Sequence, residues 1–450
     1  MTRDTERMRG DAADIFARAC ARVNAAESLR RLVALQGDTL RVGDRTYDLG
    51  RYERIVAVGA GKASSAMAQA LEEILGARLQ GGHINTKYGF GLPLKRLGQS
   101  EAAHPIPDEA GVEGTERIVD WVRGADERTL VFFLASGGGS ALLPAPVEGV
   151  SLAEKQETTG LLLGANIKEL NAVRKHLSRI KGGQLARLAH PATVVSLMVS
   201  DVIGNPLDVI ASGPTVADPT TYGQCRALIE GRGVWDKLPA AVRRHLEAGC
   251  AGDIAETPKG GDEVLLNCHN LVLADVGMAV EAARLRALEL GYAPLVLSTG
   301  LEGEAADTAH IYAALARQIR ERDKPVPKPA CVIAGGETTV ALLGGGRDGM
   351  GGRNQALALS GALEIAGNEG VVLFSGGTDG DDGVKRAEDP NVAGAVVDGQ
   401  TVARGRTLGL DARAHLEANN AYPFFAALGD HVQTGPTHTN VMDIALLLVA

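Results

Sequence analysis

The stretch RIVAVGAGKASSAMAQALEEIL (residues 54–75) decides the fold. Residues 55–58 form an uncharged, valine- and isoleucine-rich run with the length of a buried strand. Gly59, Ala60, Gly61 and Lys62 interrupt it, and an alanine- and leucine-rich helical pattern follows at once. A strand that passes through a glycine turn straight into a helix opens a βαβ unit, and repeated units build parallel sheets covered by helices. Further runs of this kind recur at 82–86, 130–134, 193–199, 263–267, 293–297, 331–334 and 371–374, nearly all ending in glycine or a small polar residue. The expected class is therefore α/β. In such open sheets ligands bind beyond the carboxyl ends of the strands, which puts the chemistry on one rim of each sheet, with two domains facing across a cleft. The polar stretch AGDIAETPKGGDE (251–263) is the expected boundary, giving domains 1–262 and 263–450, and ERDKPVPKP (321–329) is a second break.

Composition removes several function classes. A length of 450 residues suits two to three domains, and a formal charge of −9 argues against nucleic acid or an anionic membrane as the main partner. Cys20, Cys225, Cys250, Cys268 and Cys331 are odd in number and form no C-x-x-C pair, so neither a disulfide framework nor a zinc site is expected, in keeping with a reducing cytoplasm. The opening MTRDTERMRGDAAD lacks the apolar core of a signal peptide, and no apolar run reaches the roughly 18 residues of a membrane span. A soluble, cytoplasmic protein with a small-molecule substrate is expected. Its 57 glycines show no collagen period and so must serve turns and close backbone approaches.

Several of those turns carry chemistry. The turn Gly59, Ala60, Gly61, Lys62 reads as an anion site, a helix N-terminus with a lysine beside it. It is not a Walker A loop, because Val56 stands where the first glycine is needed. It is a poor dinucleotide fingerprint too, since Ser64 replaces the third glycine and the next strand ends near Asn85 without the acid that holds a ribose. The turn Ser136, Gly137, Gly138, Gly139, Ser140 can wrap backbone amides around an anion and lacks the frame of a serine nucleophile. Asn171, Arg174, Lys175, Ser178 and Lys181 are spaced to share one helix face. Asp201 and Asn205 follow a buried run and suit Mg²⁺ or hydroxyl binding, or turn capping. Late in the chain, CVIAGGETTVALLGGGRDGMGGRNQALAL (331–359) and VVLFSGGTDGDDG (371–383) again run from an apolar strand into glycine-dense polar turns.

Taken together, AVGAGKAS, HPIPDEAG, ELNAVRKHLSRIKGG, SDVIGNPLDVIASGPTVADP, GGETTV, GGRNQ, SGGTDGDDG and GPTHTNVMDI resemble the glycerate 2-kinases of the MOFRL family over nearly the whole chain. The resemblance implies ATP-dependent phosphorylation of D-glycerate at its 2-hydroxyl, with Mg²⁺; a monomer or homodimer is expected. It also implies a Rossmann-like N-terminal domain and a smaller α/β C-terminal domain. Residue by residue, Lys62 matches the lysine of the family's first glycine turn and Arg353 the arginine of its GGRNQ motif, both as catalytic cations. Asp379 and Asp382 match paired aspartates suited to Mg²⁺, Asp379 also to catalysis. Gly59, Gly61, Ser136, Gly137, Gly138, Gly139, Asn171, Arg174, Lys175, Asp201, Glu337, Thr338 and Asn354 are the expected substrate and nucleotide contacts. The chain departs from the family pattern at Asn205, Pro206, Ala421 and His438. Two other readings stay open: an NAD(P)H-dependent hydroxypyruvate reductase, and a non-catalytic sugar-phosphate sensor.

Overall fold

The run at 55–58 lies at the centre of a six-stranded parallel sheet. The computed structural model describes residues 4–341, 349–435 and 437–450. Within the compact unit Ala25–Ala274, a small antiparallel meander of β1 (Val33–Gln36), β2 (Thr39–Val42) and β3 (Arg45–Asp48) precedes the main sheet. That sheet comprises β4 (Arg54–Ala60), β5 (Gly81–Lys87), β6 (Gly98–Ala102), β7 (Thr129–Ala135), β8 (Thr193–Val199) and β9 (Cys268–Ala274). Its spatial order is β6-β5-β4-β7-β8-β9, with every neighbouring pair parallel. This is the doubly wound order of Rossmann folds, in which the direction of winding reverses between the first and fourth strands, here β4 and β7. All seven residues of β7 are buried, which explains the unbroken apolar run TLVFFLA: a strand covered on both faces has no need of alternation.

Two sequence expectations change here. The run at 263–267 forms only a short turn of 3-10 helix, Glu263–Leu265, and the strand begins at Cys268. Because β9 pairs with β8, the chain stays in this sheet as far as Ala274, and the boundary expected at 262/263 falls inside the unit. Asp275 then caps the helix Val276–Glu289, accepting from the Met278 N–H at 2.9 Å, and the next unit starts.

That unit combines Met1–Asn24 with Asp275–Ala450. The N-terminal helix Thr5–Arg22 joins it through Phe16, which packs on Phe374 with ring centroids 4.9 Å apart, and through Arg9, which pairs with Asp398 and Asp430. Its sheet holds β10 (Ala293–Glu304), β11 (Ala330–Thr339), β12 (Val371–Gly377), β13 (Gly394–Asp398), β14 (His431–Val432) and β15 (Asp443–Val449) in the order β10-β11-β15-β12-β13-β14. Only β10 and β11 are parallel, so the second sheet is mixed and not parallel as the strand pattern alone suggested. The cause is β15, a fully buried strand that inserts antiparallel between β11 and β12. The glycine turn of the late cassette at 342–348 lies outside the described residues. The chain is thus an α/β protein with a Rossmann-type sheet in one unit and a mixed sheet in the other.

Candidate active site

The reversal point of the parallel sheet collects the first group of expected residues. Onward connections from β4 and β7 run to opposite edges, and a crevice opens at the carboxyl ends of such a pair. Gly59, Gly61 and Lys62 end β4, Ser136 to Gly139 end β7, and Asp201 follows β8 on the same rim. The first two turns are locked together. Lys62 N–H donates to the Gly137 carbonyl at 2.9 Å, and Ala63 N–H to Ser136 Oγ at 2.9 Å. Gly61 N–H is taken by Asn85 at 3.1 Å and Ser64 N–H by Gly61 at 3.2 Å. The amides leading into the helix Ser64–Leu75 are therefore satisfied internally, so this turn offers an anion its half-buried lysine and not a ring of N–H groups. The second turn keeps that ability. Gly138 is left-handed (φ 83°), and among the described residues no acceptor takes the N–H of Gly137 or Gly138.

The basic stripe divides. The helix Ile167–His176 ends before Ser178, whose Oγ accepts from the N–H groups of Ile180 at 3.4 Å and Lys181 at 3.3 Å and so competes with further helix. Ser178 and Lys181 therefore do not continue its face. Asn171 is buried, and its Oδ1 accepts from Ser212 Oγ at 3.4 Å. Ser212 Oγ in turn lies 2.8 Å from Ser140 Oγ, which ties the helix to the second glycine turn. Lys175 sits buried between Asp208 at 3.1 Å and Asp218 at 3.4 Å, an internal ion pair and not an open ligand group. Arg174 is half-buried, with no ion-pair partner among the described residues. Nearby, His176 contacts Cys225 Sγ at 3.3 Å and Glu256 at 3.1 Å. This resembles a catalytic triad, but the thiol is fully buried and burial pushes its pKa far up, so it is inert.

The second group forms on the rim of the mixed sheet. Because β15 runs antiparallel to both neighbours, its first residue lies beside their carboxyl ends: Asp443 is the register partner of Gly336 and of Gly377. Arg353, the first residue of the helix Arg353–Glu364, grips that carboxylate in a bidentate pair, Nε to Oδ2 at 2.5 Å and Nη2 to Oδ1 at 2.9 Å. Its Nη1 lies 2.7 Å from Glu337 Oε1. Burial works against the Arg353 charge, but Asp443, then Glu337 and Asp382, hold the guanidinium above its ordinary range. Two of the five guanidinium N–H groups are thereby spent on Asp443, and Nη1 faces Glu337. Asp443 was not expected from sequence. Its signal is an acid directly before the apolar run IALLLV.

Asp382 is fully engaged. Its Oδ1 accepts from the Asn354 N–H and Nδ2, each at 3.1 Å, and its Oδ2 from the Gln355 N–H at 2.9 Å and Nε2 at 3.0 Å. It thus anchors the start of the Arg353–Glu364 helix, and burial pushes its carboxyl up to about 6 against those donors. Gly352 makes room for it, since a Cβ there would lie 2.3 Å from Asp382 Oδ1. Asn354 is likewise internal, accepting from Ser375 Oγ at 2.6 Å. With Thr338, Ser375 and Asp443 it lines a cavity of about 10 Å³, the size of a single water. Asp379 and Asp443 converge on the end of β12: a Cβ at Gly377 would meet an oxygen of each, at 3.2 and 3.3 Å. Among the described residues no three His, Cys, Asp or Glu side chains gather to hold a metal. A nucleotide-borne Mg²⁺ takes most of its ligands from phosphate and water and needs only one or two carboxylates. Asp379, beside Asp443, fits that demand, whereas Asp382 has four donors on its two oxygens already. No helix among the described residues is long and apolar enough to cross a membrane.

Comparison with known proteins identifies two families. Residues 11–247 match the family described as "Domain of unknown function (DUF4147)", and residues 330–443 match the "MOFRL family". Glycerate 2-kinase of Pyrococcus horikoshii is 41% identical over 398 residues, covering 88% of this chain and 87% of its own length. A protein of Agrobacterium vitis, named only provisionally as a hydroxypyruvate reductase, is 44% identical over 401 residues, covering 88% of this chain and 87% of its own length. The crystal structure of glycerate kinase from Thermotoga maritima aligns with a TM-score of 0.84 at 36% identity, over 99% of this chain and 100% of that one.

Proposed function

This chain belongs to the MOFRL-containing glycerate kinase family, and on that footing we propose that it transfers the γ-phosphoryl group of ATP to the 2-hydroxyl of D-glycerate, giving 2-phosphoglycerate and ADP. The observation that carries the reading is the reversal point of the parallel sheet. There a lysine-bearing turn meets a turn with two open amides, and β5 ends in Asn85, Thr86 and Lys87 instead of the acid a nicotinamide ribose requires. Asn85 is itself buried, donating to the carbonyls of Gly111 at 3.1 Å and Leu142 at 2.8 Å. That environment favours phosphate groups over a hydride cofactor and counts against the reductase.

Phosphoryl transfer asks the protein to position groups and to neutralise charge. In this reading Lys62 acts as a point charge on the donor phosphates, and the Gly137 and Gly138 amides hold further phosphate oxygens. Arg353, gripped by Asp443 and facing Glu337, keeps N–H groups for an anionic oxygen of a substrate. Mg²⁺, when bound at Asp379, supplies charge neutralisation to the phosphates. The 2-hydroxyl oxygen bonds to the γ-phosphorus as the bond from that phosphorus to the bridging oxygen breaks, ADP leaves with that electron pair, and the hydroxyl proton passes to solvent. Lys62→Ala is expected to lower kcat/KM by about 100-fold or more, the usual scale for losing a preorganised charge in a dry site. ADP formation at the wild-type rate in that variant would overturn the role of Lys62.

A further inference from the structure

A cluster of cations in the unit Ala25–Ala274 plays no part in the chemistry above. Lys155, on the helix Leu152–Leu161, is 8% exposed, and its Nζ is buried without a hydrogen-bond partner among the described residues. Lys181 is 2% exposed, and its Nζ donates to the Leu143 carbonyl. Half-buried Arg174 completes the set, and among the described residues no carboxylate lies within ion-pairing distance of any of the three. Neighbouring Arg179 is already committed to Glu116 and the Pro146 carbonyl. Burial, with repulsion from Arg174 and Arg179, pulls the Lys155 ammonium down to about 7. Burial, with repulsion from Lys155 and Arg174, pulls Lys181 well below its ordinary range. Two buried ammonium groups beside a guanidinium, none facing an acid, carry a standing penalty that an anion would relieve.

We infer that Lys155, Arg174 and Lys181 form the pocket for the carboxylate of the hydroxy-acid acceptor. This rests on the kinase reading above. Lys181 is tied to Leu143, at the end of the short helix Gly139–Leu142 whose other end follows the open amides of Gly137 and Gly138. Four helical residues span about 6 Å, which keeps the two ends within the overall length of a phosphorylated three-carbon acid. The planar fork of Arg174 suits a carboxylate, and the linked polar groups of Ser140, Ser212 and Asn171 suit the hydroxyls beside it. Arg353 is less suited, because its fork is already closed on Asp443.

Steady-state kinetics of full-length Lys155→Met and Arg174→Met, with D-glycerate and with its neutral amide as acceptors, test the assignment. Each substitution removes charge at similar volume, and circular dichroism checks the fold. Each variant is expected to raise KM for D-glycerate tenfold or more, to change KM for ATP less than twofold, and to lose preference for the acid over the amide by a similar factor. Arg174→Lys, which keeps charge but not the fork, should fall between. As a second readout, D-glycerate alone should raise the melting temperature of the wild type but not of Lys155→Met. A rise in KM for ATP alone would assign the cluster to donor phosphate and overturn the inference. Unchanged KM values with undiminished glycerate-induced stabilisation would make the cluster purely structural. If the wild type formed no ADP from glycerate, the kinase reading would fall, while the melting comparison would still judge the pocket.

Discussion

Two aspartates three positions apart, Asp379 and Asp382, sit in different surroundings. Both stand in SGGTDGDDG with the same apparent chemistry, and sequence alone pairs them as metal ligands. Asp382 is instead saturated by the backbone and side chains of Asn354 and Gln355, whereas Asp379 accepts from the Asp381 N–H at 3.1 Å and lies beside Asp443 at the end of β12. Asp379→Asn is therefore expected to raise the Mg²⁺ concentration for half-maximal activity by tenfold or more. Asp382→Asn should leave that concentration unchanged and destabilise the fold by about 1–3 kcal/mol, because an amide nitrogen cannot accept the donors it faces. Mg²⁺ titrations of activity together with urea unfolding separate the two, and a Mg²⁺ shift in Asp382→Asn without a stability loss would reverse the assignment. Lys62 and Arg353 stand out in the sequence as candidates because glycine-rich turns flank them. Asp443 and Lys155 do not: one is recognisable only through the register of β15, the other only through burial without a partner.

At the scale of elements, the buried strands β4, β7 and β8 were legible because parallel strands covered on both faces leave continuous apolar runs. Edge strand β6, with only Ala102 buried, carries no such run, and β15 looks like any apolar tail until its antiparallel insertion is seen. The basic helix face misled because spacing describes a helix that continues, whereas Ser178 ends this one. Glycine positions were read as phosphate contacts, but their first demand is packing between strands. A Cβ at Gly59 would lie 2.1 Å from the Leu134 carbonyl oxygen, and one at Gly61, with φ 142°, 2.1 Å from Ser136 Oγ. Gly59→Ala must push β4 away from β7, since backbone cannot yield as a side-chain tip can. Loss of soluble, cooperatively melting protein is expected. A Gly59→Ala variant with unchanged melting temperature would contradict this account of the β4–β7 contact.

For the whole molecule, the sequence conveyed the α/β class and the family resemblance, while the division of the chain followed from pairing that composition does not reveal. The polar stretch at 251–263 resembles a linker but leads into the last strand of the first sheet, and the first helix packs in the unit that contains the chain's end. Each unit holds its own group of candidate residues, Lys62 with the Gly137 and Gly138 amides in one, Arg353 with Asp379 in the other. The central claim is phosphoryl transfer to the 2-hydroxyl of D-glycerate. It is tested most directly by incubating the protein with ATP, Mg²⁺ and D-glycerate and resolving the products by phosphorus NMR. The account predicts 2-phosphoglycerate with ADP in equal amount. Formation of 3-phosphoglycerate, or oxidation of NAD(P)H by hydroxypyruvate with no ADP from glycerate, would contradict it.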